Sequence, residues 1–163
     1  NAAQYIHRAW RDVDGIRQLV TINYQDPTWP QGYATHFNAL ARTITHGGVA
    51  IGAFDDADRL VAFATVEKRH VNAEVECAYL DQLFVSLDMR RIGVGKKLFF
   101  ACIHIAQQWR AARMLICAGS AEETVAFYRA LGCVDCIDQY RVFKDSDPRD
   151  LKLEYQTNFS EIT

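Results

Sequence analysis

The sequence contains 163 residues, a length that predicts one domain, residues 1–163, with a single sizeable core. Half of the residues are hydrophobic and 23% are charged, which excludes a disordered or fibrous chain. The net charge of −2 gives no overall field for nucleic acid or an anionic membrane, and we expect neither as a partner. No apolar run reaches the roughly 18 residues of a membrane span, and the first residues do not resemble a signal peptide, so we expect a cytoplasmic protein.

The first half of the sequence predicts two strand regions and two helices. An opening strand is expected near residues 4–9, and a helix over 12–21, where three aliphatic residues share one helical face. A second helix is predicted over 32–45. Two alternating stretches, Val49–Phe54 and 60–66, flank a turn rich in aspartate and therefore predict a β-hairpin.

The second half predicts alternating strands and helices. In order, these are a strand over Glu76–Val85, a helix over 93–110, a strand over Arg113–Ala118, a helix opened by a capping box at 120–123 and closed by Gly132, and strands near 140–143 and 150–156. A strand, a helix and a further parallel strand form a right-handed crossover. The predicted fold class is α/β (α+β), a sandwich with a parallel βαβ crossover inside a mixed sheet.

The five cysteines predict reduced thiols rather than disulfides or a metal site. Four of them lie within apolar segments, as buried thiols of a cytosolic protein do: Cys77, Cys102, Cys117 and Cys133. Cys133 and Cys136 have CxxC spacing, but a second ligand pair is missing and the pair follows the helix-ending Gly132. We therefore expect no metal, and a metal or redox site at this pair is the alternative.

One stretch lacks acidic residues where a helix begins. Between Met89 and Ala121 the sequence contains no Asp or Glu, although helix starts usually attract acids because their N–H groups lack partners. Two glycines, Gly93 and Gly95, let the backbone approach a ligand closely. The cations beside them are Arg90, Arg91, Lys96 and Lys97. We infer that the missing anion is a bound phosphate or pyrophosphate, and a solvated basic turn is the alternative.

The glycine bend and two further blocks resemble one family. Arg90-x-x-Gly93-x-Gly95, which follows the strand at 79–85, resembles the acyl-CoA signature of the GCN5-related N-acetyltransferase (GNAT) family. Residues 126–133 are similar to the family pattern Phe-Tyr-x-x-x-Gly-Phe, and residues 150–155 resemble its closing strand. The resemblance implies a mostly antiparallel mixed sheet with helices on both faces, and acetyl-CoA as the co-substrate.

The resemblance also implies where the co-substrate binds. Backbone groups at the end of the strand pair with the pantetheine arm, and amides of the glycine bend hold the pyrophosphate, to which Arg90 and Lys96 add charge. Ser120 lies near the position of an Asn with which many relatives contact the cofactor, and Tyr128 corresponds to the tyrosine beside the sulfur. The implied cofactor-binding residues are Leu83, Phe84, Val85, Arg90, Arg91, Ile92, Gly93, Val94, Gly95, Lys96, Ser120 and Tyr128.

The implied reaction is direct attack of a primary amine, carried by a small molecule or a peptide, on the thioester carbonyl. A backbone N–H near the end of the strand meets the oxyanion, and Tyr128 protonates the departing thiolate. The amine must first lose a proton, and some relatives place their acidic base on this strand. We favour Asp81 as the base, assisted by Tyr79, which shares its strand face. Glu74 and Glu76 are the other acids in or beside the strand.

Other classes of function stay open from the sequence. A non-catalytic acyl-CoA-binding or sensor module would use Tyr128 and Asp81 only for packing, and an interaction domain would use the basic turn without a cofactor. The acceptor is not readable, and a homodimer is common in the family. Five aromatic residues of the first half either line an acceptor pocket or pack in the core: Trp10, Tyr24, Trp29, Tyr33 and Phe37.

Overall fold

The computed structural model describes residues 1–71, 76–137 and 140–157, which form a six-stranded mixed sheet, helices on both of its faces and a separate hairpin. In chain order the elements are β1 (Gln4–Val13), β2 (Ile16–Asp26), α1 (Tyr33–Thr45), β3 (Val49–Phe54), β4 (Leu60–His70), β5 (Glu76–Val85), α2 (Val94–Gln108), β6 (Arg113–Ala118), α3 (Glu122–Ala130), β7 (Val134–Asp135) and β8 (Leu151–Gln156). The sheet order is β3-β4-β5-β6-β8-β7, and β5 pairs with β6 in parallel while the other neighbours are antiparallel. The predicted fold class is confirmed.

Most of the predicted elements are present. The hairpin of β3 and β4, the parallel strands β5 and β6 and the helix between them follow the prediction closely. Helix α2 buries one side, which includes Leu98, Phe99 and Cys102, against the aliphatic residues of β4, β5 and β6. The spacing of these residues places them on one side of the helix. Within the described residues, none of the helices is long and apolar enough to cross a membrane.

The predicted helix over 12–21 is wrong, because this segment is the tip of a β-hairpin. Val13 and Ile16 pair across a two-residue turn in which Asp14 and Gly15 have φ angles of 53° and 79°. Positive φ at both turn positions matches the twist of the flanking strands, and an Asp-Gly pair adopts it at low cost. The Gly15 amide also donates to Asp12 Oδ1 at 2.9 Å. The turn therefore outweighs the helical spacing of the aliphatic residues.

The predicted strand near 140–143 is also wrong. Residues Arg141–Phe143 form a short 3-10 helix, which places Phe143 in a second, smaller core beside Cys77, Tyr79 and Leu115. The outer neighbour of β8, on the side away from β6, is β7, Val134–Asp135, which has only two residues. A strand of that length carries too little periodicity to be predicted from its sequence.

Strands β5 and β6 part halfway along their length. Among the described residues their registers are Ala78 with Met114, Tyr79 with Leu115, and Leu80 with Ile116. Beyond Leu80, β5 continues to Val85 beside β4, and β6 continues to Ala118 beside β8. The backbone edges that face each other across this split are therefore open to a ligand.

Candidate active site at the strand split

The start of α2 fits an anion. Gly93 caps the helix with φ 90°, in the left-handed region, and no side chain of the described residues caps it. The first turn contains no acid, and the Lys97 amide is the first to bond back, to the Gly93 carbonyl at 3.1 Å. The preceding amides, from Val94 to Lys96, are the unpaired donors that every helix start leaves. An anion at this position would receive several N–H bonds and the favourable end of the helix dipole.

Gly95 brings α2 close to its neighbours. A Cβ atom at this position would lie 3.3 Å from the Phe127 ring of α3 and 3.4 Å from Val85 Cγ2. The missing side chain therefore lets α2, α3 and the end of β5 meet at the wide side of the split. Gly93, in contrast, has open space where its Cβ would be and is needed for its backbone angle.

The Arg90 guanidinium binds two backbone carbonyls, and its predicted contact with a pyrophosphate stays a prediction. Its Nε donates to the Val85 carbonyl at 2.9 Å, and its Nη2 donates to the Ala3 carbonyl at 3.0 Å. Partial burial lowers the pKa of Arg90 from its ordinary value. The guanidinium thus links the end of β5 at Val85 to the N-terminal segment at Ala3. Lys96 and Lys97 are exposed in the first turn of α2, and the predicted contact of Lys96 with a phosphate stays a prediction.

The basic bend is not free of acid in space. Arg91, with φ 65°, donates from Nη2 to Oε1 of Glu123 at 3.1 Å, and 85% and 77% of the two side chains are exposed. Glu123 arrives from the first turn of α3, so the acid-free stretch of sequence did not reveal it. A surface pair of this kind contributes little to stability, and an incoming phosphate can replace the carboxylate at low cost.

Ser120 has partners that the sequence did not predict. Its Oγ accepts a hydrogen bond from Arg11 Nη1 at 2.6 Å, and its carbonyl accepts one from the Trp10 amide at 2.8 Å. The predicted capping box is wrong, because Ala121 is the N-cap of α3 and no described side chain caps it. The reason is that β1 packs against this segment through the Ala9–Ala121 bridge, so that Arg11 of β1 binds the serine hydroxyl. A cofactor contact from Ser120 stays a prediction.

Tyr128 lies in the main core with 7% of its surface exposed. Its ring packs against Phe99 and Phe127, with centroids 6.1 and 5.1 Å away. Burial raises the pKa of the phenol, so the hydroxyl is protonated at neutral pH. No hydrogen bond to this hydroxyl occurs among the residues that the structure describes. A protonated phenol without a protein partner can donate to a ligand atom.

Asp81 stands at the point where the strands part. It follows Leu80, the last residue of β5 that pairs with β6, and is the extra residue of a β-bulge opposite Thr65 and Val66. Its Oδ2 is buried without a hydrogen-bond partner among the described residues. The nearest charges are Nη2 of Arg42, 3.8 Å from Oδ2, and Nη2 of Arg69, 3.8 Å from Oδ1.

The surroundings of Asp81 favour its protonated form. Burial raises the pKa of this carboxyl, the nearby Glu67 raises it further, and Arg42, Arg69 and His36 oppose them. A buried carboxylate with an elevated pKa is better suited to accept a proton than an exposed one. These properties are compatible with the general base that the sequence predicts, and the role of Asp81 stays a prediction.

Tyr79 is close to Asp81, whereas Glu76 is not part of the site. Tyr79 is 8% exposed, burial raises the pKa of its phenol, and the Arg69 guanidinium lies 4.1 Å from its ring centroid. Glu76 is about half-exposed at the other end of β5, with Lys68 Nζ and His70 Nε2 4.0 and 3.6 Å away. Glu74 lies outside the described residues.

The sequence did not single out Glu67 and Arg69 on β4. Glu67 is 7% exposed and pairs in register with Tyr79, and Arg69 Nε donates to its Oε1 at 2.8 Å. The available signal was a glutamate directly after the mostly apolar run that begins at Leu60 and directly before two cations, because a buried carboxylate needs a charged partner.

Three of the five aromatic residues singled out in the first half lie together beside the split. The ring of Trp29 contacts those of Tyr33 and Phe84 at centroid distances of 5.8 and 5.5 Å, and Tyr33 stacks on Phe37. His36 joins this wall, 4.7 Å from Phe84, and its Nδ1 lies 3.0 Å from Gln82 Oε1. The two others lie elsewhere: Trp10 packs against the main core, and Tyr24 is exposed on the hairpin.

No disulfide joins the five cysteines, all of which lie within the described residues. Burial raises the pKa of Cys133, the first residue of the CxxC pair, to about 12, which leaves it protonated at neutral pH. Within residues 1–71, 76–137 and 140–157, no group of three or more His, Cys, Asp or Glu side chains could hold a metal ion.

A family model described as the acetyltransferase (GNAT) family matches residues 13–133. Nourseothricin acetyltransferase has a similar structure, with a TM-score of 0.70 and 14% identity over 96% of this chain and 88% of that chain. PaiA N-acetyltransferase from Thermoplasma acidophilum, in complex with coenzyme A, has a TM-score of 0.58 and 18% identity over 76% of this chain and 70% of that chain. A GNAT family acetyltransferase from Elizabethkingia anophelis with acetyl-CoA bound has a TM-score of 0.56 and 14% identity over 73% of this chain and 82% of that chain. A search of curated proteins finds no relative.

Proposed function

We propose that this chain, which belongs to the acetyltransferase (GNAT) family, is a single-domain enzyme that transfers an acetyl group from acetyl-CoA to a primary amine. The observation that carries the proposal is the split beyond Leu80 and Ile116, with an uncapped, acid-free helix start near its wide end and a buried acid at its narrow end. The first end suits a diphosphate and the second suits an ammonium group.

Acetyl-CoA binding is assigned mainly to backbone groups. The amides from Val94 to Lys96 would hold the diphosphate, with Lys96 adding charge, and the open edge of β5 near Leu83 and Phe84 would pair with the pantetheine arm. The Val85 carbonyl is already bound by Arg90, so the pairing involves the residues before it. In this proposal the thioester would lie inside the split, between Asp81 and the helix that carries Tyr128.

The proton account of the reaction uses both residues. An ammonium acceptor gives one proton to the Asp81 carboxylate, and the neutral amine attacks the carbonyl carbon of the thioester. A carbon–nitrogen bond forms, the carbon–sulfur bond breaks, and the sulfur takes a proton from the Tyr128 hydroxyl. The new amide nitrogen loses its second proton, which restores the phenol, and one proton in all passes to solvent from Asp81.

The base is needed most for amines of high pKa. At pH 7 an alkyl amine with a pKa near 10.4 is neutral only at a cost of about 4.6 kcal/mol, whereas an α-amine with a pKa near 8 costs about 1.4 kcal/mol. A buried carboxylate within reach of the ammonium group supplies part of this difference. We therefore expect the effect of Asp81 to be larger for lysine-like acceptors than for α-amines.

The acceptor is proposed only as a class. Structural neighbours include enzymes named for nourseothricin and for the 6′-amine of aminoglycoside antibiotics, which are small-molecule acceptors. The aromatic wall of Trp29, His36 and Phe84 beside Asp81 suits an amine carried on a flat or apolar body. A panel of such antibiotics, polyamines, amino acids and short peptides, followed by release of the CoA thiol, tests for the acceptor.

Binding of acetyl-CoA is tested separately by Lys96→Glu. An acid in the first turn favours the helix by its dipole, so the variant should be as stable as the wild type or more stable. The same carboxylate opposes a diphosphate, so calorimetric titration should show acetyl-CoA affinity reduced by about tenfold or more. Lys144→Glu, an equal charge change on an exposed loop, is the control. Unchanged affinity in Lys96→Glu, or wild-type protein that does not bind acetyl-CoA, would contradict the proposal.

A further inference from the structure

Two largely buried acids lie on adjacent strands beside the split, and one arginine forms ion pairs with both. Glu67 of β4 and Asp81 of β5 are largely buried, with 10% and 14% of their side chains exposed. Arg69 donates from Nε and Nη2 to Oε1 of Glu67. The same Nη2 is 3.8 Å from Oδ1 of Asp81, beyond hydrogen-bond distance.

Arg69 forms hydrogen bonds with Glu67 but not with Asp81. Its guanidinium is fixed by the Glu67 carboxylate on one side and by the Tyr79 ring, whose centroid is 4.1 Å away, on the other. Asp81 receives only the attraction of a nearby positive charge, and its Oδ2 keeps no hydrogen bond among the described residues. One carboxylate is therefore neutralised within the protein, and the other is left able to bind a proton or an ammonium group.

We propose that Arg69 is a positioning residue for acetyl transfer: by binding Glu67 it leaves the neighbouring Asp81 as the carboxylate that receives the acceptor's proton. Without this cation, the ionisation of one largely buried carboxylate would oppose the ionisation of the other more strongly. The inference rests on the proposed function, because it assigns a means of control to the same base.

The charged and titratable groups around Asp81 come from neighbouring elements. They are His36 and Arg42 of α1, Glu67 and Arg69 of β4, and Tyr79 of β5, with Cys117 of β6 beside Tyr79. Arg42 is also 3.8 Å from Asp81, but 54% of its side chain is exposed, so solvent screens its charge more strongly than that of Arg69. Among the described residues, Arg69 is the cation that forms ion pairs with both acids.

The test measures the pH dependence of kcat/KM for an amine that the wild type acetylates. In Arg69→Met, the acid limb of the profile should move up by about one pH unit or more, because an opposite charge near Asp81 is lost. In the double variant Glu67→Gln/Arg69→Met, the negative charge of Glu67 is also removed, and the acid limb should return most of the way to its wild-type pH. The titration of the substrate amine is the same in every variant and does not contribute to the difference. Arg129→Met, which breaks an exposed pair with Asp135, is the control and should not move the limb.

A second readout does not depend on turnover. Carbon-13 NMR titration of the Asp81 side-chain carboxyl should show the same upward movement in Arg69→Met and the same return in the double variant. An Arg69→Met protein that is folded but keeps the wild-type Asp81 titration overturns the inference, as does a double variant that stays shifted. If the wild type acetylates no amine, the proposed function fails, while the carboxyl titration still decides whether Arg69 controls Asp81.

Discussion

The Tyr128 ring lies inside an apolar core, where it contacts Phe99 and Phe127. Its hydroxyl forms no hydrogen bond with the described residues, and it is not among the fully buried oxygens that lack a partner. Phenylalanine would make the same ring contacts, so packing alone does not account for the oxygen.

Tyr128→Phe should therefore separate catalysis from binding. If the hydroxyl protonates the departing thiolate, we expect kcat to fall by about 10²-fold, while the Kd for acetyl-CoA stays within about twofold. Because no internal hydrogen bond is lost, the melting temperature should stay the same or rise. Steady-state thiol release, calorimetric titration and thermal unfolding measure the three quantities.

The matched control for that variant is Tyr155→Phe. Tyr155 contacts the same Phe99 ring from β8, with a centroid distance of 5.4 Å, but its phenol has no proposed part in the reaction. Its loss should leave kcat unchanged. Full turnover in Tyr128→Phe would remove the hydroxyl from the mechanism and favour the reading of this domain as a non-catalytic acyl-CoA-binding module.

At the scale of elements, the turn from α1 to β3 depends on a glycine for space. A Cβ atom on Gly48 would lie 2.5 Å from Thr43 Cγ2 and 2.8 Å from the Val66 carbonyl oxygen. The Gly48 amide also donates to the Thr43 carbonyl at 2.8 Å, which fixes the helix end against the sheet. The preceding Gly47 has open space but a φ of 80°.

The three glycine-to-alanine variants at positions 47, 48 and 119 should rank by these causes. Gly48→Ala should lower the free energy of unfolding by about 2–3 kcal/mol, because backbone and a buried threonine must move. Gly47→Ala should cost about 1 kcal/mol for its left-handed backbone. Gly119→Ala meets neither obstacle and should stay within about 0.5 kcal/mol of the wild type. Urea unfolding gives the ranking, and a mild Gly48→Ala would contradict the packing at this turn.

How far the elements could be predicted depended on how local their signals are. The strands and helices around the split have long periodic patterns, and β5 and β6 were predicted with their observed bounds. A helix was wrongly predicted at the tip of the first hairpin because the aliphatic residues of 16–20 also fit helical spacing. The Asp14-Gly15 turn favours the hairpin instead. This Asp-Gly pair is a signal in the sequence from which the turn could have been predicted.

The candidate site was predictable only in part, for a different reason. The glycine bend and Asp81 lie on elements with readable patterns, but the meeting of Asp81 with Glu67 and Arg69 depends on strand register and on a bulge. A bulge shifts which residues face one another, and one sequence does not specify it. Likewise, only the docking of β1 onto α3 could show that Arg11 holds Ser120.

At the scale of the whole molecule, buried acids link the site to stability. Burial is the first cause that raises the pKa of both Asp81 and Asp150, and the Cys117 thiol lies 3.5 Å from Asp150. When the folded pKa of an acid exceeds the unfolded one, the folded state holds its proton to higher pH. Its contribution to the free energy of unfolding therefore decreases as pH rises from the unfolded value of 3.8 through the folded one.

Asp81→Asn should consequently exchange activity for stability. With the buried charge removed, the variant should unfold at a higher temperature than the wild type at pH 7, and the difference should shrink to nothing below pH 3.8, where both states of the wild type are protonated. Turnover should fall by about 10²-fold or more for alkyl amines and less for α-amines. Thermal unfolding between pH 3 and 8 and thiol release with the two amine classes measure these effects.

Asp145→Asn, on an exposed loop, is the control. A variant that is less stable at pH 7 would mean that Arg42 and Arg69 stabilise the Asp81 charge by more than its burial costs.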